Sequence, residues 1–174
     1  MRVARCAELL AQRHGLDTAR ARLAGMLHDL ARLYSAERLL EECGKRGLSV
    51  SEFERNNPVV LHARLGAEIA RERFGVKDAA VLSAIAKHTL GDASMTPLDC
   101  AVYLADALEP GRDYAERAVL WEIARRDLDE AMRRTLAASL EHYARTGNDV
   151  APQTAAAVRA FEPSSKEAQT AGTY

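Results

Sequence analysis

Five ionisable side chains lie inside stretches that otherwise read as core. His28 and Asp29 sit within the apolar run 23–31, His62 within 58–63, His88 at the end of 79–88, and Asp106 within 100–108. A carboxylate taken from water into an apolar interior must neutralise, pair or bind a cation. Two carboxylates and three imidazoles on four separate stretches therefore point to a common destination. Imidazole nitrogen with carboxylate oxygen suits iron, manganese or zinc, and iron or manganese best fits a mixed octahedral set. A carboxylate can also bridge two ions. Each residue has a plainer reading. A lone histidine on an apolar face is usually a hydrogen-bonded core residue. Asp106 can form a buried ion pair with one of the many arginines, and Asp29 can pair with Arg32 at i+3. The plainer account needs all of these coincidences at once. His14, beside Gly15 at a helix end, and His142, on a charged helix, are not ligand candidates.

The elements that must bring these residues together are helices. Aromatic residues make up only 5% of the chain, and 5 prolines and 10 glycines interrupt it. Ala, Leu, Arg and Glu dominate, a composition that favours helix. Capping residues and glycines divide the chain into predicted helices over 1–14, 17–34 and 35–43, then a polar connector over 49–57 with one short turn. Pro58 stands as the first residue of a helix running to Phe74. Further helices are predicted over 78–88, 97–109, 114–126, 128–145 and 152–161, with a loop over 91–95. No strand is predicted and no repeat is visible. The expectation is an all-α bundle of short helices in one domain, residues 1–161, followed by a disordered tail over 162–174.

The chain has 174 residues, 24 basic and 25 acidic, for a formal net charge of −1. That balance speaks against general nucleic-acid binding. Arg125-Arg126 and Arg133-Arg134 alternate with acidic residues, as on a solvated, ion-paired helix face. Trp121 reads as a core anchor. Cys6, Cys43 and Cys100 are odd in number and widely spaced, which implies reduced thiols and a cytoplasmic protein. No apolar run approaches the ~20 residues of a membrane span.

The five residues also carry a resemblance. Residues 24–29, ending in His28-Asp29, resemble the paired His-Asp element of the HD-domain metal phosphohydrolases. The segments 61–67, 87–91 (Lys-His-Thr-Leu-Gly), 95–98 and 103–112 (through Ala-Asp-Ala-Leu-Glu-Pro-Gly-Arg) resemble one subfamily, YqeK, the bacterial symmetrical diadenosine tetraphosphate hydrolases. The likeness spans residues 1–145 in order. It implies an all-helical HD fold around two divalent metal ions, usually iron, with manganese as the alternative. It implies further that His28, Asp29 and Asp106 hold one ion, that Asp29 bridges to the second, and that His62 and His88 complete it. The family's ligand set opens with one more histidine shortly before an Arg-Val pair. Arg2-Val3 matches the pair, and the matching histidine would lie upstream of Met1, which implies a first helix truncated at its start and one metal site weakened. His14 does not replace it, lying about 18 Å further along a regular helix.

The implied reaction is symmetrical cleavage of a dinucleoside tetraphosphate into two nucleoside diphosphates by a metal-activated water, with Asp29 at its centre. Two cations neutralising phosphate and activating water suit a phosphoanhydride, and no Gly-x-x-x-x-Gly-Lys loop suggests an ATPase. Arg32, Arg64 and Arg112 are candidate phosphate clamps, with surface ion pairs as the alternative. Thr89 and Gly91 line the phosphate site by the resemblance alone. The expected partner is a dinucleoside polyphosphate, with no nucleic acid and no membrane, and a homodimer is compatible with the reading. Two rivals remain: another HD-domain nucleotide phosphohydrolase, or a catalytically silent nucleotide-binding module.

Overall fold

The computed structural model describes residues 1–163, and among them every regular element is helical. Ten α-helices follow one another: α1 (Arg2–Arg13), α2 (Thr18–Leu27), α3 (Ala36–Lys45), α4 (Glu52–Asn56), α5 (Leu61–Phe74), α6 (Ala79–Lys87), α7 (Pro97–Leu108), α8 (Arg117–Ala124), α9 (Leu128–Thr146) and α10 (Pro152–Ala160). Local chemistry sets most of the boundaries. The Asp17 carboxylate accepts from the backbone N–H groups of Ala19 and Arg20, and Asp78 does the same for Ala80 and Val81. Ser51–Glu54 and Thr96–Asp99 form reciprocal capping boxes. Gly75 and Gly147 end α5 and α9 in the left-handed region, with φ of 66° and 69°.

Three expectations require correction. The helix predicted over 17–34 stops at Leu27. Residues 28–34 form tight turns instead, with Leu30, Arg32 and Tyr34 donating to the carbonyls three residues back. Pro58 opens a 3-10 turn, Pro58–Val60, ahead of α5 rather than α5 itself. The helix predicted over 114–126 is only Arg117–Ala124. The expected tail over 162–174 falls, from residue 164 onward, outside the described residues.

The main core lies where α1, α2, α6, α7 and α9 meet, around Leu10, Ile85, Val102, Leu104, Leu108 and Met132. A second cluster of Leu39, Cys43, Leu61, Leu65 and Ile69 joins α3 to α5. Trp121 is half-buried and packs on the main core, at its edge rather than its centre. Helix α7 carries nine buried residues out of twelve, so its polar residue at position 106 has few ways to face except out of the core. At Gly25, a Cβ would lie 2.8 Å from the Cα of Ala4, so only glycine lets α2 approach α1 this closely.

Candidate metal centre

His28, His62 and His88 each stand at or just past a helix end, and they hold their rings in the same way. Each Nδ1 lies against the carbonyl oxygen three residues earlier. The distances are 2.9 Å for His28 to Gly25, 2.5 Å for His62 to Val59 and 2.7 Å for His88 to Ile85. A carbonyl only accepts, so Nδ1 carries the proton and a neutral ring presents the lone pair on Nε2. All three Nε2 atoms turn toward one place. His62 Nε2 lies 3.2 Å from His88 Nε2 and 3.2 Å from Asp29 Oδ1, and His88 Nε2 lies 3.7 Å from that same oxygen. His28 Nε2 is 3.4 Å from Asp29 Oδ2 and 3.7 Å from Asp106 Oδ1. The rings meet edge to face, with centroids 4.9 Å apart for His28–His88 and 5.1 Å for His62–His88.

Two ligand sets result, His28–His88–Asp106 and Asp29–His62–His88, each with donor atoms within 4.8 Å of one another. His88 belongs to both. Lone pairs this close repel, so the cluster requires positive charge between them, supplied by protons or by a metal cation. The donor set of imidazole nitrogen and carboxylate oxygen fits a divalent transition metal, and the carbonyl bonds at Nδ1 are the outer contacts that orient such ligands. Burial alone works to raise the Asp29 pKa. Where no metal supplies the charge, protons on the ring nitrogens of His28, His62 and His88 that face Asp29 hydrogen-bond it, outweigh burial and hold the carboxyl far below the ordinary range. For His28, burial works to lower the pKa, but Asp29 and Asp106 raise it overall.

The imidazoles are buried, as the apolar runs suggested, but the carboxylates are not. The Asp29 side chain is 44% exposed and that of Asp106 20%. Both face a cavity of about 990 Å³ that opens beside the cluster. Asp29 does not pair with Arg32 through its side chain; only the backbone N–H of Arg32 bonds its carbonyl. Asp106 does have an arginine partner, because Arg112 bonds both its carboxylate and its backbone carbonyl.

Arg32, Arg112 and Thr89 line the cavity. The Thr89 hydroxyl lies 3.2 Å from His62 Nε2 and 3.1 Å from His88 Nε2. Arg64 and Gly91 are not among the residues that line it. Arg64 turns to the other side of α5, where it bonds the buried Glu54 at 2.7 Å and the Ser49 carbonyl. Gly91 makes a left-handed turn, with φ of 70°, beneath α10, where a Cβ would meet that of Ala157 at 3.1 Å. His14 bonds the Ala124 carbonyl at the helix end, as a polar tip should. Sequence reasoning missed the far wall of the cavity, which includes Tyr114, Arg133, Arg134, Tyr143 and Arg145. Arg133 and Arg134 do pair with Glu130, as the charge pattern suggested, yet they also face this space.

Comparison with known proteins gives the family. The HD domain family matches residues 1–111. A Bacillus subtilis protein named "Bis(5'-nucleosyl)-tetraphosphatase, symmetrical" is 29% identical, over 83% of this chain and 77% of its own. A Halalkalibacterium halodurans protein of the same name is 30% identical, over 84% of this chain and 78% of its own. A solved structure from Clostridium acetobutylicum, described as a "predicted HD superfamily hydrolase involved in NAD metabolism", superposes with a TM-score of 0.89 at 30% identity. It covers 92% of this chain and 85% of that one. The chain belongs to the HD-domain family, in the branch that holds the proteins named symmetrical bis(5'-nucleosyl)-tetraphosphatases.

Proposed function

We propose that this protein is a metal-dependent hydrolase that splits dinucleoside tetraphosphates symmetrically, giving two ADP from diadenosine tetraphosphate. The observation that carries the metal chemistry is the convergence of three Nδ1-anchored imidazoles on Asp29. The substrate follows from the relatives' names. His28, with Asp29 and Asp106 beside its Nε2, would hold one ion with them, and Asp29, His62 and His88 the other, with His88 also near His28 and Asp106. Iron is the first expectation and manganese the second. Divalent ions held there neutralise phosphate charge and lower the pKa of water.

The protein's own groups do the rest. Arg32 and Arg112 place guanidinium N–H donors on the cavity wall beside the cluster, where two parallel hydrogen bonds can seat a phosphate. The Thr89 hydroxyl, between two ring nitrogens, offers a donor and acceptor at the reacting end. The carbonyls of Gly25, Val59 and Ile85 fix the ring orientations, so the site needs little rearrangement to take its ligands. Asp29, held ionised by its neighbours, keeps negative charge at the centre of the cluster. Residues 1–161 act as one domain in this reading.

The test is anaerobic reconstitution with iron or manganese, followed by product analysis with diadenosine tetraphosphate. ADP as the sole product supports the proposal. AMP with ATP, or no cleavage by a fully loaded protein, overturns it. Phosphate release from mononucleotides with the tetraphosphate left intact would place the protein among other nucleotide phosphohydrolases.

A further inference from the structure

Lys87 is the last residue of α6, and its side chain reaches across to the start of α7. Its Nζ donates to the Ser94 carbonyl at 2.7 Å and lies 3.4 Å from Asp99 Oδ2 and 3.9 Å from the more exposed Asp92. Asp99 is fully buried. Its Oδ2 also accepts from the Thr96 backbone N–H at 2.8 Å, which closes the capping box of α7. Its Oδ1 is buried and accepts no hydrogen bond among the described residues.

A cap alone does not explain that charge, because a neutral asparagine oxygen would accept from the same N–H. A buried carboxylate with one oxygen unpartnered is costly. A buried ion pair adds little net stability, and its best-attested use is to fix register between packed elements. What it fixes here lies close by. Lys87 directly precedes His88, and its carbonyl accepts from the Gly91 N–H at 3.0 Å. One residue therefore ties down the segment 88–94, which carries His88 and the Thr89 hydroxyl beside the His62 and His88 rings. On α7, Asp99, Tyr103 and Asp106 are spaced at i, i+4 and i+7, so they share a face. Asp106 stands two turns, about 10.5 Å, beyond Asp99. Helices α6 and α7 pack on each other. A slip of α7 at Asp99 would carry Asp106 away from His88, with which it shares a set of donor atoms within 4.8 Å.

We propose that Lys87 and Asp99 are positioning residues of the metal centre. Their ion pair holds α7 in the register that brings Asp106 to His88, and it holds Thr89 against the rings. Both act through the backbone of their helices and not as ligands. The role rests on the metal-binding reading of the cluster and is independent of its substrate.

The test is manganese affinity of the full chain by calorimetry, beside thermal unfolding without metal and the absorption bands of the cobalt-loaded protein. Asp99→Asn keeps the cap and removes the charge, and Lys87→Met keeps the length and removes the donor. Each should weaken manganese by about tenfold and shift the cobalt bands. The double variant no longer buries an unpaired carboxylate, so it should regain the thermal stability that Lys87→Met loses. Its manganese affinity should stay at that of Lys87→Met, because both substitutions break one pair. The role is refuted if the variants bind manganese within twofold of the natural protein. It is also refuted if affinity follows stability across the series, as it would for a pair that merely holds the fold, or if the two losses multiply in the double variant. A natural protein that takes up manganese yet leaves diadenosine tetraphosphate intact would lose the proposed activity and leave this comparison standing.

Discussion

His62 and His88 hold their Nε2 atoms 3.2 Å apart, while both rings spend their Nδ1 protons on backbone carbonyls. Two neutral imidazoles arranged so would set lone pair against lone pair. The backbone thus builds a place that demands a cation, and helix ends from α2, α6 and the turn before α5 supply it together.

Asp29 belongs to both proposed ion sites, one oxygen beside His28 and the other beside His62, whereas His28 and His62 belong to one each. Asp29→Ala should therefore abolish binding of both ions, measured as metal per chain after reconstitution and desalting. His28→Ala should retain metal at the Asp29–His62–His88 set. Either substitution should lower hydrolysis by on the order of 100-fold or more.

Gly25 is held by contact rather than by backbone angle. Gly25→Ala puts a methyl group 2.8 Å from the Cα of Ala4, and backbone cannot turn aside as a long side chain would. The cost should be about 1–3 kcal/mol, read by denaturant unfolding. The Gly25 carbonyl also orients His28, so metal affinity should fall with stability. A substitution that left both unchanged would show that α1 and α2 separate without penalty.

Glu54 is 1% exposed and bonds Arg64, the Ser51 hydroxyl and the Ser51 backbone. Burial works to raise its pKa, but these bonds lower it overall. A carboxyl with a lowered folded-state pKa stabilises fully above its unfolded value of about 4.3, and the gain is lost as pH falls through the folded value. Glu54→Gln should cost about 2 kcal/mol at pH 7. The gap between the variant and the natural protein should close below about pH 4 in thermal unfolding measured across pH.

The thiols of Cys6, Cys43 and Cys100 are all buried, and burial pushes Cys100 up to about 12. At neutral pH they should resist iodoacetamide in the native protein and react fully after denaturation. Mass spectrometry of both samples gives the count directly.

Much of this centre is legible in the amino-acid sequence itself. Histidines and aspartates inside apolar runs announce a shared site, and Asp, Ser and Thr caps with terminal glycines mark most helix boundaries. The end of α2 is not legible, because the apolar pattern runs on through Ala31 with no glycine or proline to interrupt it. The exposure of Asp29 is hidden for the same reason, since a turn and a helix share that local pattern. Arg64 misleads because its neighbour His62 belongs to the site, while the helix turns Arg64 toward Glu54 instead. Helix α9 carries charge on several sides, so nothing local distinguishes the residues facing a cavity from those facing water. That distinction depends on where α7 and the segment after it lie.

The most direct measurement is anomalous diffraction from crystals of the manganese- or iron-loaded protein. The account predicts two metal peaks, one among His28, Asp29 and Asp106 and one among Asp29, His62 and His88. A fully loaded protein with its metal elsewhere, or with those five side chains turned away from it, would contradict the account at its root.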